Sequence, residues 1–571
     1  MRSLAKSPGF TVIALLSLAL GIGANTAIYT LLNAVLLRSL PVPAPHQLVL
    51  FGRGRMVGST GGTPNGNAEL FSYPFYREFA AKQSSYSGVT AVSSIQMRSH
   101  LKLPSGNGEE VHIDMVSGSY FGVLGVPPAL GRTISEADDR TAGAGAVAVA
   151  SYSWFQRHFQ GDPAAIGRAI RIQGRDYTIV GVAQSGFSGL APSQATDLWV
   201  PLSMEKEVSP GWNGLADIQF QSLYIVGRLK PEVSLAQAAT ETNLLFRRII
   251  RSEFLAGNPS ERDLAELQKA SIELTPAAGG LPGMRARLTA PIAMLMGIVA
   301  LVLLMACANI ANMLLARGVA RSHEIAIRQS LGANRSRIVL QLLTESSLVA
   351  FGGALLGIGM AWACGRVLAV FISHGDTTQI PEFLAPDISV LFFALGVTAL
   401  TALLFGMLPA LRASRLKLTS ALKDGRGSSQ ANARGALSRG LVAGQIALSV
   451  LLLAAAGLFL RSLVNLNRVD VGFDPTRVTQ FSLDEYAANL PLDSRLVQLQ
   501  KQIERSVEAL PGVESASFGM FVFNQGMWSD SMVVEGAPRT PENGEDALYN
   551  VVGNDYLKTM GIPLIAGRNF T

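Results

Sequence analysis

The residues best suited to do work lie between 317 and 337, in the stretch RGVARSHEIAIRQSLGANRSR. It holds five arginines and a single acid, Glu324. On a helix, Glu324 and Arg328 are four apart and pair, while Ile327 and Leu331 share another face. Gly332 reads as a helix stop, after which a new helix begins. A basic helix of this kind docks rather than makes or breaks bonds. It marks the cytoplasmic side of a membrane, lies against lipid headgroups, or receives a push from a partner.

Bond-making constellations are absent from the 571 residues. There is no G-x-x-x-x-G-K-[ST] phosphate loop, no H-E-x-x-H, no G-x-S-x-G and no zinc-spaced Cys/His set. The six histidines have no metal-ligand spacing. Gly52-x-Gly54 lacks the strand-to-helix setting of a nucleotide site. No ionisable residue falls well inside a charge-free run, which argues against an ion-driven pathway. Glu345 sits at the edge of one such run and reads as an interfacial or helix-pairing residue. The chain is therefore expected not to be an enzyme, to hold no cofactor or metal, and to take any energy it uses from a partner.

Long apolar segments hold the arginine-rich stretch in place. The chain is 49% hydrophobic and 15% charged, with a mean hydropathy of +0.30. That is too apolar for an ordinary soluble protein and too polar for membrane helices alone. The net charge of +6 clusters beside apolar runs, so it points to orientation rather than nucleic acid. Both cysteines, Cys307 and Cys364, lie in apolar runs, which leaves the exposed regions without a disulfide framework.

Taken in order, residues 1–9 form a basic N-terminus and 10–37 a first span, too long for a signal-peptide core. Gly21, Gly23, Ala24 and Ala27 give this span a small face suited to close helix packing. Residues 38–287 form a large exposed α+β region. Strands are expected at Leu48–Phe51, Val147–Ala150, Ala169–Gln173, Tyr177–Val182 and Leu223–Leu229. Helices are expected at Tyr73–Lys82, Ser153–Phe159 and Leu235–Arg251. A β-rich lobe is expected as an insertion over about 112–220. Further spans follow at 288–316, 346–372, 388–411 and 440–461. Between them lie the coupling region 317–345 and a basic linker, 412–439. A second exposed region covers 463–571. Short Lys/Arg-rich loops stay in the cytoplasm, so the N-terminus, 317–337 and 412–439 are expected inside, and 38–287, 373–387 and 463–571 outside.

The tail repeats the first exposed region. Tyr120, Gly125, Pro127, Gly131 and Arg132 recur at the same spacing as Tyr556, Gly561, Pro563, Gly567 and Arg568. Leu37-Arg38-Ser39-Leu40 recurs as Leu460-Arg461-Ser462-Leu463. The expected fold class is thus a membrane protein of α-helical spans with large α+β external domains. It is built from a duplicated unit of one span, an external domain and three spans, with the second copy truncated. The repeated Tyr-Gly-Pro-Gly-Arg set reads as a strand-and-turn framework.

Four segments carry a resemblance to the MacB/FtsX-type permeases of ABC transporters, in their duplicated form. They are FTVIALLSLALGIGANTAIYTLLNAVLLRSLP at the first span, VAVASYSWFQRHFQGDPAAIGRAIRIQGRDYTIVGV in the external region, HEIAIRQSLGANRSRIVLQLLTES after the second span, and GMLPALRASRLKLTSALKDG after the fourth. The resemblance implies a multi-pass protein of the bacterial inner membrane, with the N-terminus cytoplasmic and a periplasmic core domain made of a porter-like lobe and an inserted β-rich lobe. It also implies that Glu324, Ile325, Ile327, Arg328, Leu331 and Gly332 form the helix that docks on a separate ABC ATPase. His323 stands where the family often has arginine. The implied mechanism is mechanotransmission, in which ATPase closure inside moves the periplasmic domains outside. The partners implied are that ATPase and the lipid bilayer, with a periplasmic adaptor in the case of an exporter, and no nucleic acid. A transmembrane regulator of a periplasmic enzyme or peptide sensor is the alternative.

Overall fold

The computed structural model describes the chain outside residues 1–7, 53–58, 61–68, 103–107, 192–194, 209–213, 219, 255–270, 282, 321–334, 373–387, 414–429, 470–471, 474–476, 482–493, 521, 523–527, 532–545 and 571. It divides into two compact units, Met1–Arg38 with Pro282–Val469, and Ser39–Leu281 with Asp470–Thr571.

The first unit is helical. Its helices are α1 (Pro8–Leu32), α2 (Gly283–Ala320), α3 (Arg335–Ile372), α4 (Ile388–Ala413) and α5 (Gln430–Asn467). Among the described residues, four apolar stretches are long enough to cross a membrane, namely Thr11–Leu32, Leu288–Leu314, Leu343–Gly365 and Val442–Asn467. A shorter one, Ile388–Leu404, lies within α4. Each expected span thus falls within a helix. The first is the exception at its end: α1 passes at Asn33–Leu37 into a π turn. Ala14, Leu18 and Ile22 on α1 are buried with Leu303, Cys307 and Ile310 on α2 and Val349 and Ala350 on α3.

The second unit is α+β. Its strands are β1 (Leu48–Gly52), β2 (Ser59–Thr60), β3 (Tyr86–Ser93), β4 (Met97–Lys102), β5 (Gly108–Val116), β6 (Pro128–Gly131), β7 (Val147–Ala150), β8 (Ala169–Ile172), β9 (Arg175–Ala183), β10 (Leu198–Pro201), β11 (Phe220–Gln221), β12 (Leu223–Leu229), β13 (Glu273–Pro276), β14 (Trp528–Ser531) and β15 (Asp546–Tyr549). Eleven of them form one sheet in the order β13-β1-β12-β3-β5-β10-β7-β9-β6, with β4 beside β5 and β8 beside β9. The strands of the expected lobe continue this sheet: β10 runs parallel to β5, and Val116 of β5 pairs with Val92 of β3.

This sheet is covered on both faces, which explains why β1 reads as an unbroken apolar run. Val49 and Phe51 enter one core, and Leu48 and Leu50 enter the other. The first core is aromatic. The helix Tyr73–Lys82, capped by Ser72, brings Phe75 and Phe79 onto it. Phe75 meets Phe246 edge-on, with ring centroids 5.7 Å apart.

The internal repeat survives at the level of single backbone bonds. Tyr120 N donates to Ser117 O at 3.0 Å, and Tyr556 N to Gly553 O at 3.2 Å. Val126 N donates to Phe121 O at 3.0 Å, and Ile562 N to Leu557 O at 2.8 Å. The ribbon before each turn keeps one register. Met97 opposes Ile113 and His100 opposes Glu110, as Trp528 opposes Tyr549 and Ser531 opposes Asp546.

The repeated residues make the expected framework. Gly131 has φ +69°, and a Cβ there would lie 2.3 Å from Val180 O, so only glycine lets β6 close on β9. Arg132 grips Asp138 with both terminal nitrogens, at 2.6 and 2.9 Å. Burial opposes ionisation of Asp138, but the hydrogen bonds from Arg132 and Ser135 outweigh it and hold the carboxyl below its ordinary range.

Candidate functional site in the membrane helices

Glu324, Ile325, Ile327, Arg328, Leu331 and Gly332 all lie within 321–334, outside the described residues. The structure brackets them: α2 ends at Ala320 and α3 begins at Arg335. The basic linker 412–439 is likewise described only at its two ends, in α4 and α5. What the structure assembles is the machinery around the first span.

On α1 the polar side chains are spent locally or on a neighbour, as a low-dielectric setting demands. Thr26 Oγ1 donates to Ile22 O and Thr30 Oγ1 to Thr26 O, both at 2.8 Å. Asn25 does both. Its Nδ2 donates to Gly21 O within the helix and to Val299 O on α2, each at 2.8 Å. One buried amide thereby ties the first span to the second.

The small face of α1 meets α3. A Cβ on Gly23 would lie 2.8 Å from Gly357 O, and one on Gly353 would lie 2.6 Å from the Leu18 side chain. The helices approach until their backbones touch. One turn beyond Asn25, the Tyr29 ring stacks on Phe393 of α4 with centroids 3.9 Å apart and planes at 3°. So α1 contacts each of the next three helices through a different residue type.

α5 adds a second polar tie. Asn312 Nδ2 on α2 donates to Gln445 Oε1 at 3.3 Å, and Ser449 Oγ lies 3.8 Å from Met305 sulfur. At about 100° per residue, Met305 and Asn312 are roughly half a turn from Val299 and Leu303. α1 and α5 therefore use opposite sides of α2.

Where α1 ends, Arg38 N donates to Asn33 O at 2.8 Å, the i-to-i+5 bond of a π turn. Arg285 Nη2, from the first turn of α2, donates to Leu36 O. Sequence reasoning anticipated the glycine face. It passed over Asn25, an amide in the middle of a charge-free run, and Arg285, whose partner is a backbone carbonyl that no side-chain pattern reveals.

Outside the helical unit, Asp114 on β5 is buried and accepts from Thr196 Oγ1 at 2.5 Å and Gln96 Nε2 at 3.2 Å. Burial pushes its carboxyl up to about 6. Asp139 accepts the backbone N–H groups of Gly118 and Ser203, at 3.1 and 2.8 Å. These are structural acids. Among the described residues, no three His, Cys, Asp or Glu side chains converge on a metal position.

Comparison with known proteins finds two family regions. The family described as MacB-like periplasmic core domain matches residues 11–244, and that described as FtsX-like permease C-terminal matches 296–418. The "Probable export ATP-binding/permease protein MacB" of Pseudomonas entomophila is 24% identical over 315 residues, 55% of this chain and 42% of that protein. The "Macrolide export ATP-binding/permease protein MacB 2" of Aeromonas hydrophila is 27% identical over 329 residues, 57% and 44% of the two. The periplasmic region of MacB from Actinobacillus actinomycetemcomitans, a solved structure, is 14% identical, with a TM-score of 0.29 over 43% of this chain and 94% of that one. The chain spans less than half the length of the two full-length relatives. With the two family regions in this order along a chain of several apolar helices, it is similar to the MacB/FtsX-type permeases of ABC transporters.

Proposed function

We propose that this chain is the permease subunit of an ABC-type exporter and is driven by an ATPase on a separate polypeptide. In this reading Glu324 and Arg328 hold the coupling helix in shape. Ile325, Ile327 and Leu331 present its apolar contact to the ATPase, and Gly332 ends it. The stroke reaches the external domain by mechanotransmission along the first span. The observation that carries this reading is the set of contacts from α1 to each of the next three helices, at Val299, Gly357 and Phe393. A span held by all its neighbours moves with them, and the chain leaving it enters the external domain. The arginine-rich connections support an inner-membrane location with the N-terminus cytoplasmic. A periplasmic adaptor is the partner this reading expects outside. The repeated unit would supply the other half of a two-fold machine.

The test is isolation of the full-length protein from native membranes in mild detergent with nucleotide, followed by mass spectrometry of what comes with it. An ABC ATPase with an adaptor supports export. A wall hydrolase or sensor kinase in place of the adaptor moves the assignment to regulation, and no ATPase at all overturns the coupling reading.

A further inference from the structure

Leu37-Arg38-Ser39-Leu40 and Leu460-Arg461-Ser462-Leu463 are one four-residue word with two backbones. In the first, the α-helix stops at Leu32, a π turn covers Asn33–Leu37 and Arg38 is extended at φ −65°, ψ 126°. In the second, α5 continues as α-helix through the whole word to Asn467. Pro41 follows the first word and Val464 the second, which favours an earlier stop in the first, but the helix propensity of the preceding turns does not. The turn before the second word contains Gly457, a poorer helix former by about 1 kcal/mol than alanine, whereas the turn before the first is Asn33-Ala34-Val35-Leu36.

The hydrogen bonds differ as well. In an α-helix the carbonyl of Leu36 would receive the N–H of Leu40. Here that carbonyl receives the Arg285 guanidinium, and Leu40 N donates instead to Ala278 O at 2.7 Å. Pro41 limits any longer helix to Leu40. One π turn holds one residue more than an α turn, so conversion would rotate the chain leaving α1 by about 100° and shift it by about 1.5 Å.

We propose that residues 33–40 form a two-state joint at the end of the first span, and that Arg285 is the positioning residue that holds its π form. When Arg285 leaves the Leu36 carbonyl, Leu40 N–H takes its place and the helix runs on, as it does at Leu460–Leu463. The joint's use in transmitting a stroke rests on the function proposed above, but the two states themselves do not.

The test is hydrogen–deuterium exchange with residue-level fragmentation, on the full-length protein in detergent. Arg285→Ala is expected to slow the Ser39 amide about tenfold, as it gains the Val35 carbonyl. Arg285→Lys keeps a donor and is expected to match the unmodified protein. Amides 456–467 are expected to be unchanged. Deleting Val35 with Arg285 in place removes the extra residue of the π turn and is expected to slow Ser39 equally, so the idea stays testable if Arg285→Ala does not insert. Unaltered Ser39 exchange in both variants overturns the joint. Faster exchange across 36–40 also overturns it, because Arg285 is then only a cap. Neither readout needs an ATPase, so this failure is separable from failure of the export reading.

Discussion

Gly23 of the first span faces Gly357 of the third so closely that a Cβ on Gly23 would lie 2.8 Å from the Gly357 carbonyl oxygen and 3.1 Å from its Cα. The obstacle on the far side is backbone, which cannot rotate out of the way. Gly23→Ala is therefore expected to destabilise the helical unit by about 1–3 kcal/mol. Gly297→Ala, at a position with nothing within 4 Å, is expected to be neutral. Thermal unfolding in detergent checks both, and equal midpoints for the two variants would remove the close crossing.

Asn25 joins α1 to α2 through Val299 O. Asn25→Leu keeps the volume and removes the bond. The expected cost is about 0.6–2 kcal/mol, with insertion intact. The same unfolding measurement reads it, and a more stable Leu variant would mean that the amide contributes nothing there.

The proposed coupling helix is tested by charge and shape. Arg328→Glu places two acids at i and i+4, and Gly332→Val obstructs the helix stop. Each is expected to lower permease-stimulated ATP turnover by tenfold or more while membrane insertion is unchanged. Turnover unaltered in both variants would leave the stretch as a topological anchor.

Asp114 makes stability depend on pH. Its folded carboxyl titrates at about 6 because of burial, against 3.8 when exposed. Between these values the folded state binds more protons than the unfolded one. The stabilisation is therefore full below about pH 4 and is lost as pH rises through 6. Asp114→Asn is expected to flatten that slope, which melting curves from pH 4 to 7 would show. A slope unchanged in the variant would point to another group.

Much of the architecture was legible in the residues. The strands Val147–Ala150 and Leu223–Leu229 and the helix Tyr73–Lys82 stand where their patterns put them, because each is a short amphipathic or apolar run with a clear stop. β3, β4, β5 and β10 were not anticipated. Asp114 on β5 and Thr90 on β3 interrupt the apolar pattern, and only their partners Thr196 and Ser117 make those positions tolerable in a core. The repeat was visible as spaced identities, and the structure adds that it preserves register bond by bond.

By itself, the sequence determined which segments are apolar enough to span, where the basic connections fall, and that Tyr120 to Arg132 is a turn used twice. Those are properties of local composition and spacing. The tertiary structure alone decided that Gly23 meets Gly357, that Asn25 reaches Val299, and that one tetrapeptide leaves the helix at 38–40 and stays helical at 460–463. Each of these depends on a hydrogen-bond or packing partner far away in the chain, and Arg285, 249 residues from Leu36, is not information that Leu36 and its neighbours carry.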